Sequence, residues 1–563
     1  MRELDPERRR RLIFRALPAV GVLAVLALVA GVMVGSGAPS TSERTAEEYT
    51  RAWQRFDLRA MYALLDERSR ASYSLPAFRR AYARSAATAT IVRVAAGEPE
   101  GERDGSVEVP VALHTRVFGL IRARLLVPVR DERVAWDPSL TFPGLPAEAR
   151  LSRRSVPPVR APLLARDGEV LAEGGAEARS SPLGGLAASV AGILAPATRA
   201  ADRAGLYARG FPRDWPVGQN GLERAFEGRL AGIPGGELMA GGRVVQTAEP
   251  RRATAVRTTI DTDLQEAAVA ALAGRLGGIA ALDARTGEIR ALAGIAFSAP
   301  QPPGSTFKIV TATAALEARA VRPRTMFPVQ TAALIDGVEL ENANGEFCGG
   351  SFRDSFAHSC NSVFAPLGVK IGSRRIVDAA LRYGWNAPPS VLGEAPSTIP
   401  QAEEIVTPLE VGSTAIGQGK VLATPLRLAS VAQTVGSGGV RFEPRLEAGR
   451  APMRVRVTSR RVARTLGSLM RGVVDYGTGT AAAIPGVAVA GKTGTAELED
   501  TRGPQADEQP PPDDGSNTDA WFTAYAPARR PRIAVAVMFV RAGTGGGTAA
   551  PAARLVLGQA LGR

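Results

Sequence analysis

The sequence PPGSTFKIVTATAAL, residues 302–316, decides how the rest of this 563-residue chain is interpreted. It places Ser305 and Lys308 three residues apart, directly after Pro-Pro-Gly. On a helix that starts here, this spacing puts both side chains on one face, and the unpaired N–H groups of the first turn lie beside the serine. The segment predicts a nucleophilic serine with lysine as its base. The alternative is a capping serine and a surface lysine, because S-x-x-K is common by chance.

Lysine is rare in this chain, and its rarity bears on that choice. Lysine and arginine total 69, but only four of them are lysines: Lys308, Lys370, Lys420 and Lys492. Arginine keeps its proton in proteins, whereas lysine can lose it when desolvation or a second cation lowers its pKa. A serine nucleophile needs such a base. A lysine retained among so many arginines is therefore a candidate for a titratable amine.

HSCNSVF, residues 358–364, supplies a second set of polar side chains. In its S-x-N arrangement, the hydroxyl of Ser359 can relay a proton and the amide of Asn361 can hold both a lysine and a substrate amide. His358 raises the alternative of a Ser-His arrangement. No G-x-S-x-G elbow occurs, so an incidental histidine is the favoured interpretation.

GKTGTAE, residues 491–497, is the third motif, and the apolar run before it predicts a strand. The edge of a strand can pair with an extended peptide. Gly494 lacks a side chain at a point where a substrate backbone would approach. Lys492 would be the second cation that lowers the pKa of Lys308.

The net charge of +14 comes almost entirely from arginine. A basic chain is a candidate for nucleic-acid binding, but aromatic residues make up 5% of this one and no recognition motif occurs. We therefore attribute the charge to compositional bias and expect no nucleic-acid partner.

Cys348 and Cys360 are the two cysteines, twelve residues apart. A metal half-site, a redox pair and a disulfide are all compatible with this spacing. The two histidines, His114 and His358, complete no Cys/His cluster for zinc. In an oxidising compartment the disulfide is the favoured alternative. We expect no metal and no cofactor.

The N-terminus predicts a membrane anchor. Residues 1–15 are rich in arginine, and Ala16–Val34 is uncharged and almost wholly apolar. This length is close to the roughly 20 residues that cross a bilayer, and the arginine-rich end is expected in the cytoplasm. A cleaved signal peptide is the alternative, but the apolar run exceeds the usual core and no A-x-A site follows. We expect a cytoplasmic tail at 1–15, a retained anchor at 16–34, and the rest outside the plasma membrane.

The remainder predicts a multidomain α+β protein. Residues 41–150 show helical periodicity from Ala46 to about Phe78 and then strand-like alternation, which indicates a small α+β domain. Residues 153–250 are less regular and predict a linking domain. Residues 256–563 begin and end with apolar strands that should share one sheet, with a helical insert at 300–485.

The three motifs, in this order, resemble those of the penicillin-recognising serine acyltransferases. Further stretches, among them TTIDTDLQEAA, GGIAALDARTGEIRALAG and GQGKVLATPLRLA, resemble the transpeptidase domain of class B penicillin-binding proteins. Residues 41–150 are similar to the cone-shaped N-terminal domain of the methicillin-resistance type of that class, and residues 153–250 to its pedestal or dimerisation domain. For residues 256–563 the resemblance implies a five-stranded antiparallel sheet flanked by helices, plus an all-helical subdomain.

The resemblance also implies roles for the motif residues. Ser305 would attack the penultimate D-alanine carbonyl of a peptidoglycan stem peptide, with Lys308 as base. The N–H groups of Ser305 and Thr495 would form the oxyanion hole, and Ser359 would pass the proton to the departing D-alanine. β-Lactams would enter the same path and stall. The residues expected to hold the terminal carboxylate are Lys492, Thr493 and Thr495.

Two other functions remain open at this point. A D,D-carboxypeptidase would share the three motifs and release D-alanine to water. A penicillin-binding sensor or scaffold would bind without turnover. The expected partners are stem peptides, β-lactams, the plasma membrane through the N-terminal helix, and other cell-wall synthesis proteins.

Overall fold

The computed structural model describes residues 39–185, 190–391, 393–498 and 516–563. The tail and anchor predicted at residues 1–34 therefore lie outside the described residues. None of the helices within the described ranges has the length and apolar character of a membrane span. The chain forms two compact units: the first contains the described residues up to Pro157, Arg199–Arg213 and Ile233–Arg251, and the second contains Pro158–Thr198, Asp214–Gly232 and Arg252–Arg563.

The chain up to residue 157 forms helices and then strands. They are α1 (Thr41–Gln54), α2 (Leu58–Ala63), α3 (Glu67–Ser72), α4 (Leu75–Ala89), β1 (Ile91–Ala96), β2 (Glu102–Arg103), β3 (Ser106–Thr115), β4 (Leu120–Arg130), β5 (Arg133–Val134) and β6 (Leu151–Val156). The helical stretch predicted from Ala46 to Phe78 extends further at both ends and is broken before Asp57, Asp66 and Ser74. The side chain of each of these three residues accepts a backbone N–H of the helix that follows. One periodic pattern therefore yields several capped helices.

Aromatic rings form the core of the first unit, beside an antiparallel sheet with the strand order β1-β3-β4-β5. Phe78 is fully buried, and its ring centroid lies 4.8 Å from that of Trp136 and 4.9 Å from that of Tyr82. The hydroxyl groups of Tyr49 and Tyr82 are 2.6 Å apart. Buried aromatic pairs of this kind contribute both apolar area and a preferred ring geometry.

Residues 158–251 consist of short elements. They are β7 (Leu163–Leu164), β8 (Val170–Ala172), β9 (Leu194–Pro196), α5 (Ala200–Ala208), β10 (Pro216–Gly218), α6 (Gly221–Ala225), α7 (Glu227–Leu230), β11 (Gly235–Ala240) and β12 (Arg243–Ala248). The segment 153–250, predicted as a single linking domain, is divided between the two units. In the first unit β11 pairs with β6 and β12. In the second unit the buried guanidinium of Arg160 lies between the carboxylates of Glu223 and Glu227.

The rest of the second unit is denser in regular structure. Its helices are α8 (Thr262–Leu272), α9 (Lys308–Glu317), α10 (Phe352–Ala357), α11 (Asn361–Ile371), α12 (Ser373–Tyr383), α13 (Pro408–Ala415), α14 (Pro425–Gly436), α15 (Arg460–Asp475) and α16 (Ala550–Leu561). Its strands are β13 (Val256–Arg257), β14 (Gly277–Asp283), β15 (Ile289–Gly294), β16 (Met326–Gln330), β17 (Ala332–Ile335), β18 (Val338–Glu341), β19 (Cys348–Ser351), β20 (Val440–Phe442), β21 (Arg454–Arg456), β22 (Ala490–Glu497), β23 (Thr518–Ala526) and β24 (Ile533–Phe539).

A five-stranded antiparallel sheet of order β15-β14-β24-β23-β22 confirms that the two ends of this region share one sheet. Alternate residues of the central strands face opposite sides, as the pleat requires. One side packs against α8 and α16, and the other packs against α14. Strand β22, which carries the third motif, is an edge strand of this sheet.

The insert between the terminal strands is not all-helical, which corrects the expectation for this subdomain. Strands β16 and β19 pair with each other, and β17 and β18 form a hairpin. The hairpin turn is Asp336-Gly337, whose φ angles of 51° and 79° are both positive. Asp-Gly between two apolar stretches is a strong signal for such a turn.

Candidate active site

Ser305 lies in a short turn just before the helix that begins at Lys308. The turn is a 3-10 helix, Gly304–Phe307, and such a helix has about three residues per turn. The two residues are therefore still one turn apart, as the motif predicts. Ser305 is partly exposed. The hydrogen bonds of the described residues do not include one between the Lys308 amine and the Ser305 hydroxyl, because the amine donates to other acceptors.

Three oxygen atoms surround the amine of Lys308, whose side chain is fully buried. Nζ lies 2.6 Å from the backbone oxygen of Ser359, 3.3 Å from its Oγ and 2.6 Å from Oδ1 of Asn361. The ring centroid of Phe364 is 5.4 Å away. Burial, and then the charge of Lys492, lower the pKa of Lys308 well below its ordinary value. The amine is thereby able to lose its proton and act as a base.

Lys492 provides a second buried amine, on the edge strand β22. Its Nζ donates to Oγ of Ser359 at 2.9 Å and to the backbone oxygen of Thr493 at 2.9 Å. Burial lowers the pKa of Lys492 to about 7. The hydroxyl of Ser359 thus lies within hydrogen-bonding distance of two amines and can relay a proton.

Ser359 occupies the loop between α10 and α11 with a left-handed φ of 63°. A non-glycine residue keeps this conformation only where its surroundings hold it. On the C-terminal side, Asn361 Nδ2 donates to the backbone oxygen of Glu341 at 2.6 Å. A disulfide joins Cys360 to Cys348 in β19, and both cysteines are buried. The loop is therefore fixed directly after Ser359, by the disulfide and by the amide of Asn361.

Gly494 leaves room for the protein itself. An ideal Cβ at this position would lie 2.9 Å from the backbone oxygen of Pro303 and 2.9 Å from Cγ2 of Thr306. The turn that carries Ser305 therefore rests directly against β22. From the sequence, we predicted that Gly494 makes room for a substrate backbone. In the structure, the backbone that approaches Gly494 is that of the Ser305 turn.

Threonine hydroxyls continue the site along β22. Thr493 is 5% exposed, and its Oγ1 lies 2.6 Å from Oγ1 of Thr478. Thr495 is partly exposed, and its Oγ1 accepts the N–H of Gly545 at 3.3 Å. Thr478 was not singled out from the sequence. The sequence signal at this position is the G-T-G-T repeat at residues 477–480, which contains Thr478.

The structure therefore brings the three motifs together within the second unit. Direct hydrogen bonds connect Lys308, Ser359, Asn361 and Lys492, and the Ser305 turn contacts the same strand that carries Lys492. Two amines with lowered pKa values and one hydroxyl between them can take a proton from a nucleophile and deliver it to a leaving group. In the described part of the chain, no group of three or more His, Cys, Asp or Glu side chains could hold a metal ion.

Comparison with known protein families places this geometry in context. Residues 277–558 match the family model for the penicillin binding protein transpeptidase domain. This range contains Ser305, Lys308, the S-x-N loop and β22.

Two curated relatives come from mycobacteria. The peptidoglycan D,D-transpeptidase PbpA of Mycobacterium tuberculosis is 35% identical over 292 residues, which cover 47% of this chain and 56% of that protein. The PbpA of Mycolicibacterium smegmatis is 32% identical over 428 residues, which cover 63% of this chain and 81% of that protein. The match thus spans little more than half the length of the first relative and most of the second.

Among solved structures, the penicillin G acyl-enzyme complex of penicillin-binding protein A from M. tuberculosis is similar to this chain. The TM-score is 0.56 at 27% identity, and the alignment covers 72% of this chain and 99% of that one. The relative therefore shares the fold over nearly its whole length and is known in a covalent complex with a β-lactam.

Proposed function

Because the chain belongs to the penicillin-binding protein transpeptidase family, we propose that it is a peptidoglycan D,D-transpeptidase that works through an acyl-enzyme on Ser305. The observation that carries the proposal is the buried amine of Lys308, one turn from Ser305 and in contact with Ser359 and Asn361. An amine with this lowered pKa is suited to accept the hydroxyl proton.

The first step forms the acyl-enzyme. Ser305 Oγ attacks the carbonyl carbon of the penultimate D-alanine, and its proton goes to Lys308. The C–N bond to the terminal D-alanine breaks, and the leaving nitrogen receives a proton through Ser359, which both lysine amines contact. The backbone N–H groups of Ser305 and Thr495 bind the oxyanion, supported by the packing of the Ser305 turn against β22.

The second step transfers the acyl group. An amine from a neighbouring stem peptide attacks the ester carbonyl and gives a proton to Lys308. The new C–N bond forms, the ester C–O bond to Ser305 breaks, and Ser305 Oγ regains the proton from Lys308. A β-lactam acylates Ser305 by opening its own ring, so its leaving nitrogen stays attached and the ester persists. The position of β22 at the sheet edge supports binding of an extended donor peptide.

The finer architecture is part of the same proposal. We assign residues 41–150 to a spacer domain of the methicillin-resistance type, and residues 16–34 to a single membrane anchor that leaves the catalytic unit outside the cell. Support comes from the α+β order of the first unit and from the arginine-rich start of the sequence. Protease added to intact spheroplasts should digest the chain beyond the anchor; protection of the catalytic unit would contradict this placement.

Mass spectrometry of the full-length chain treated with penicillin G tests the proposed chemistry. The adduct should map to the peptide that contains Ser305, and Ser305→Ala should abolish it while Ser72→Ala, at an exposed serine of the first unit, should not. An adduct on another residue would refute the assignment of the nucleophile. A stem-peptide assay separates transfer from hydrolysis: cross-linked dimers support the transpeptidase, whereas released D-alanine without dimers indicates a D,D-carboxypeptidase.

A further inference from the structure

A glycine-rich segment packs against β22, the strand that carries the third motif. It consists of Gly545–Ala549, a single π-helical turn that leads directly into α16. Turns of this type are rare and occur frequently at functional sites. An ideal Cβ at Gly545 would lie 2.2 Å from the backbone oxygen of Trp521 and 2.3 Å from that of Gly494. The absence of a side chain therefore allows this glycine turn to touch the backbones of β22 and β23.

The glycine turn and the Ser305 turn lie on opposite faces of β22. Successive side chains of a strand point to opposite faces. An ideal Cβ at Gly494 faces the Ser305 turn, at 2.9 Å from the backbone oxygen of Pro303. The next side chain, that of Thr495, points the other way, and its Oγ1 accepts the N–H of Gly545 at 3.3 Å. The strand is therefore held between the two turns.

The direction of the hydrogen bond between Gly545 and Thr495 is fixed by chemistry. A backbone N–H can only donate, so the hydroxyl is the acceptor and keeps its own proton for another partner. Among the residues that the structure describes, none accepts that proton. The first N–H groups of a helical segment have no acceptor inside it. The partly exposed Thr495 therefore satisfies one of these donors and still has a proton for a ligand.

The N–H of Gly545 affects how Thr495 can bind an anion. A carboxylate accepts hydrogen bonds only, so a hydroxyl binds it by donating its proton. A hydroxyl that already accepts a hydrogen bond is polarised and donates a stronger one, and a bond to an ionised acceptor is stronger than one between neutral groups. The N–H thus directs the Thr495 proton away from the glycine turn and strengthens its bond to an anion at the sheet edge.

We propose that Gly545 is a positioning residue, whose N–H orients the Thr495 hydroxyl so that it donates to the carboxylate of the donor substrate. The inference rests on the proposed function, because it concerns the carboxylate of a stem peptide or a β-lactam. It adds a residue outside the three motifs that controls recognition of the anion without touching it. The position requires glycine because two strand backbones approach it closely.

Gly545→Ala tests the proposal by separating the glycine turn from the strand. The added Cβ meets two backbone oxygens, and the turn should move rather than β22, which pairs with β23 along its whole length. In stopped-flow acylation of the full-length chain by penicillin G, we expect the encounter complex to weaken about fivefold and the acylation rate constant to stay nearly unchanged.

Two further variants of the same turn accompany this test. Gly547→Ala is the matched control, because an added Cβ there would meet only the hydroxyl of the exposed Thr544, and both constants should stay unchanged. Gly546→Ala displaces the turn through a different contact, since its Cβ would lie 2.5 Å from the backbone oxygen of Thr478. It should reproduce the weaker encounter complex, so the test does not depend on the folding of one variant.

A double-mutant cycle shows whether Gly545 acts through the Thr495 hydroxyl. Thr495→Val keeps the branched shape and the backbone N–H but removes the hydroxyl, so we expect the encounter complex to weaken about 30-fold. Addition of Gly545→Ala to this variant should cause no further loss. A fivefold loss in both backgrounds would refute the positioning role, and so would unchanged binding in Thr495→Val.

Penicillin G methyl ester provides the readout that a purely structural role would not move. Its carboxylate is blocked, so the wild type and Gly545→Ala should react with it at equal rates. An equal loss with acid and ester would mean that the variant disturbs the whole site, and the positioning role would be wrong. If the wild type forms no adduct with either compound, the proposed function fails instead, and the two failures are thereby distinguished.

Discussion

The two units bury their polar groups in opposite ways. In the described residues of the first unit, the buried polar side chains are threonines, serines and tyrosines, and pairs such as Tyr49 and Tyr82 satisfy each other. In the second unit, Lys308 and Lys492 are both fully buried. Among the described residues neither lysine forms a salt bridge with a carboxylate. The first unit buries neutral polar groups that stabilise a fold, and the second buries two amines that favour losing their charge.

The two buried amines are expected to lower the stability of the second unit. Burial of a charged amine without an acidic partner opposes folding, and the group responds by lowering its pKa. The left-handed Ser359, which lies between the two amines, adds backbone strain in the same place. Removal of a buried amine should therefore harm the chemistry and spare the stability, whereas truncation of a ring in the first unit should do the reverse.

The largest effect is expected from Lys308→Met, which conserves most of the side-chain volume and removes the base. The rate constant for acylation by penicillin G should fall about 10³-fold, because general-base assistance contributes on this scale. The free energy of unfolding should stay equal or rise, since a buried amine is lost. Stopped-flow acylation and urea unfolding measure the two quantities. If Lys308→Met were acylated at the wild-type rate, Lys308 would not be the general base.

The converse test is Phe78→Ala in the core of the first unit. Phe78 is fully buried against Tyr82 and Trp136, so the substitution should cost about 3–5 kcal/mol of unfolding free energy. The acylation rate constant of the folded protein should stay within twofold of the wild type. Phe56→Ala, at a 47% exposed ring of the same unit, is the control and should cost under about 0.5 kcal/mol. If folded Phe78→Ala were no longer acylated, the core of the first unit would affect the chemistry as well as the stability, and the prediction would be wrong.

The five-stranded sheet was predictable because its strands are apolar segments separated by polar or glycine-containing turns, as at Thr286-Gly287. The three motifs were predictable because each combines residue types that one chemistry needs. The β17–β18 hairpin was missed although Asp336-Gly337 is a strong signal for it, because the whole of residues 300–485 was interpreted as one helical insert. Local pattern thus identified the elements wherever one period dominated.

Contacts between segments that are far apart in the chain could not be predicted from the sequence. Gly494 faces Pro303, nearly two hundred residues earlier, and no local pattern records that approach. Thr478 lies in a visible G-T-G-T repeat, yet nothing in the sequence links it to Thr493. The Lys308 amine points to Ser359 and Asn361 in the structure rather than to Ser305, a choice that depends on a loop fixed from elsewhere.

A smaller effect follows from the pKa of Lys492, which burial lowers to about 7. An unfolded lysine titrates near 10.4, so between these values the unfolded chain binds more protons than the folded one. Stability therefore rises with pH: the penalty is complete below about pH 7 and disappears above about pH 10. We expect an increase of about 2–4 kcal/mol between pH 7 and 9.5 in urea titrations. Lys492→Met should remove this contribution and leave that of Lys308, whose pKa is also lowered; an equally steep curve in the variant would assign the dependence to other groups.

The smallest effect is expected at Lys370, which lies exposed on α11, ten residues after Cys360, the buried N-cap of that helix. Arginine keeps a positive charge there, so Lys370→Arg should change stability by under about 0.5 kcal/mol and acylation by less than twofold. The identical substitution at Lys492 should slow acylation by about 10²-fold, less than the loss of the Lys308 base, since a guanidinium keeps its proton and does not fit a site shaped for one amine. Acylation by penicillin G measures both variants. Both substitutions keep a positive side chain and remove a group that can lose its proton. A difference between the two variants therefore measures how much acylation depends on proton loss by the buried amine. If Lys492→Arg were acylated at the wild-type rate, the buried amines of the second unit would serve as fixed charges, and their lowered pKa values would be a consequence of burial without a part in the chemistry.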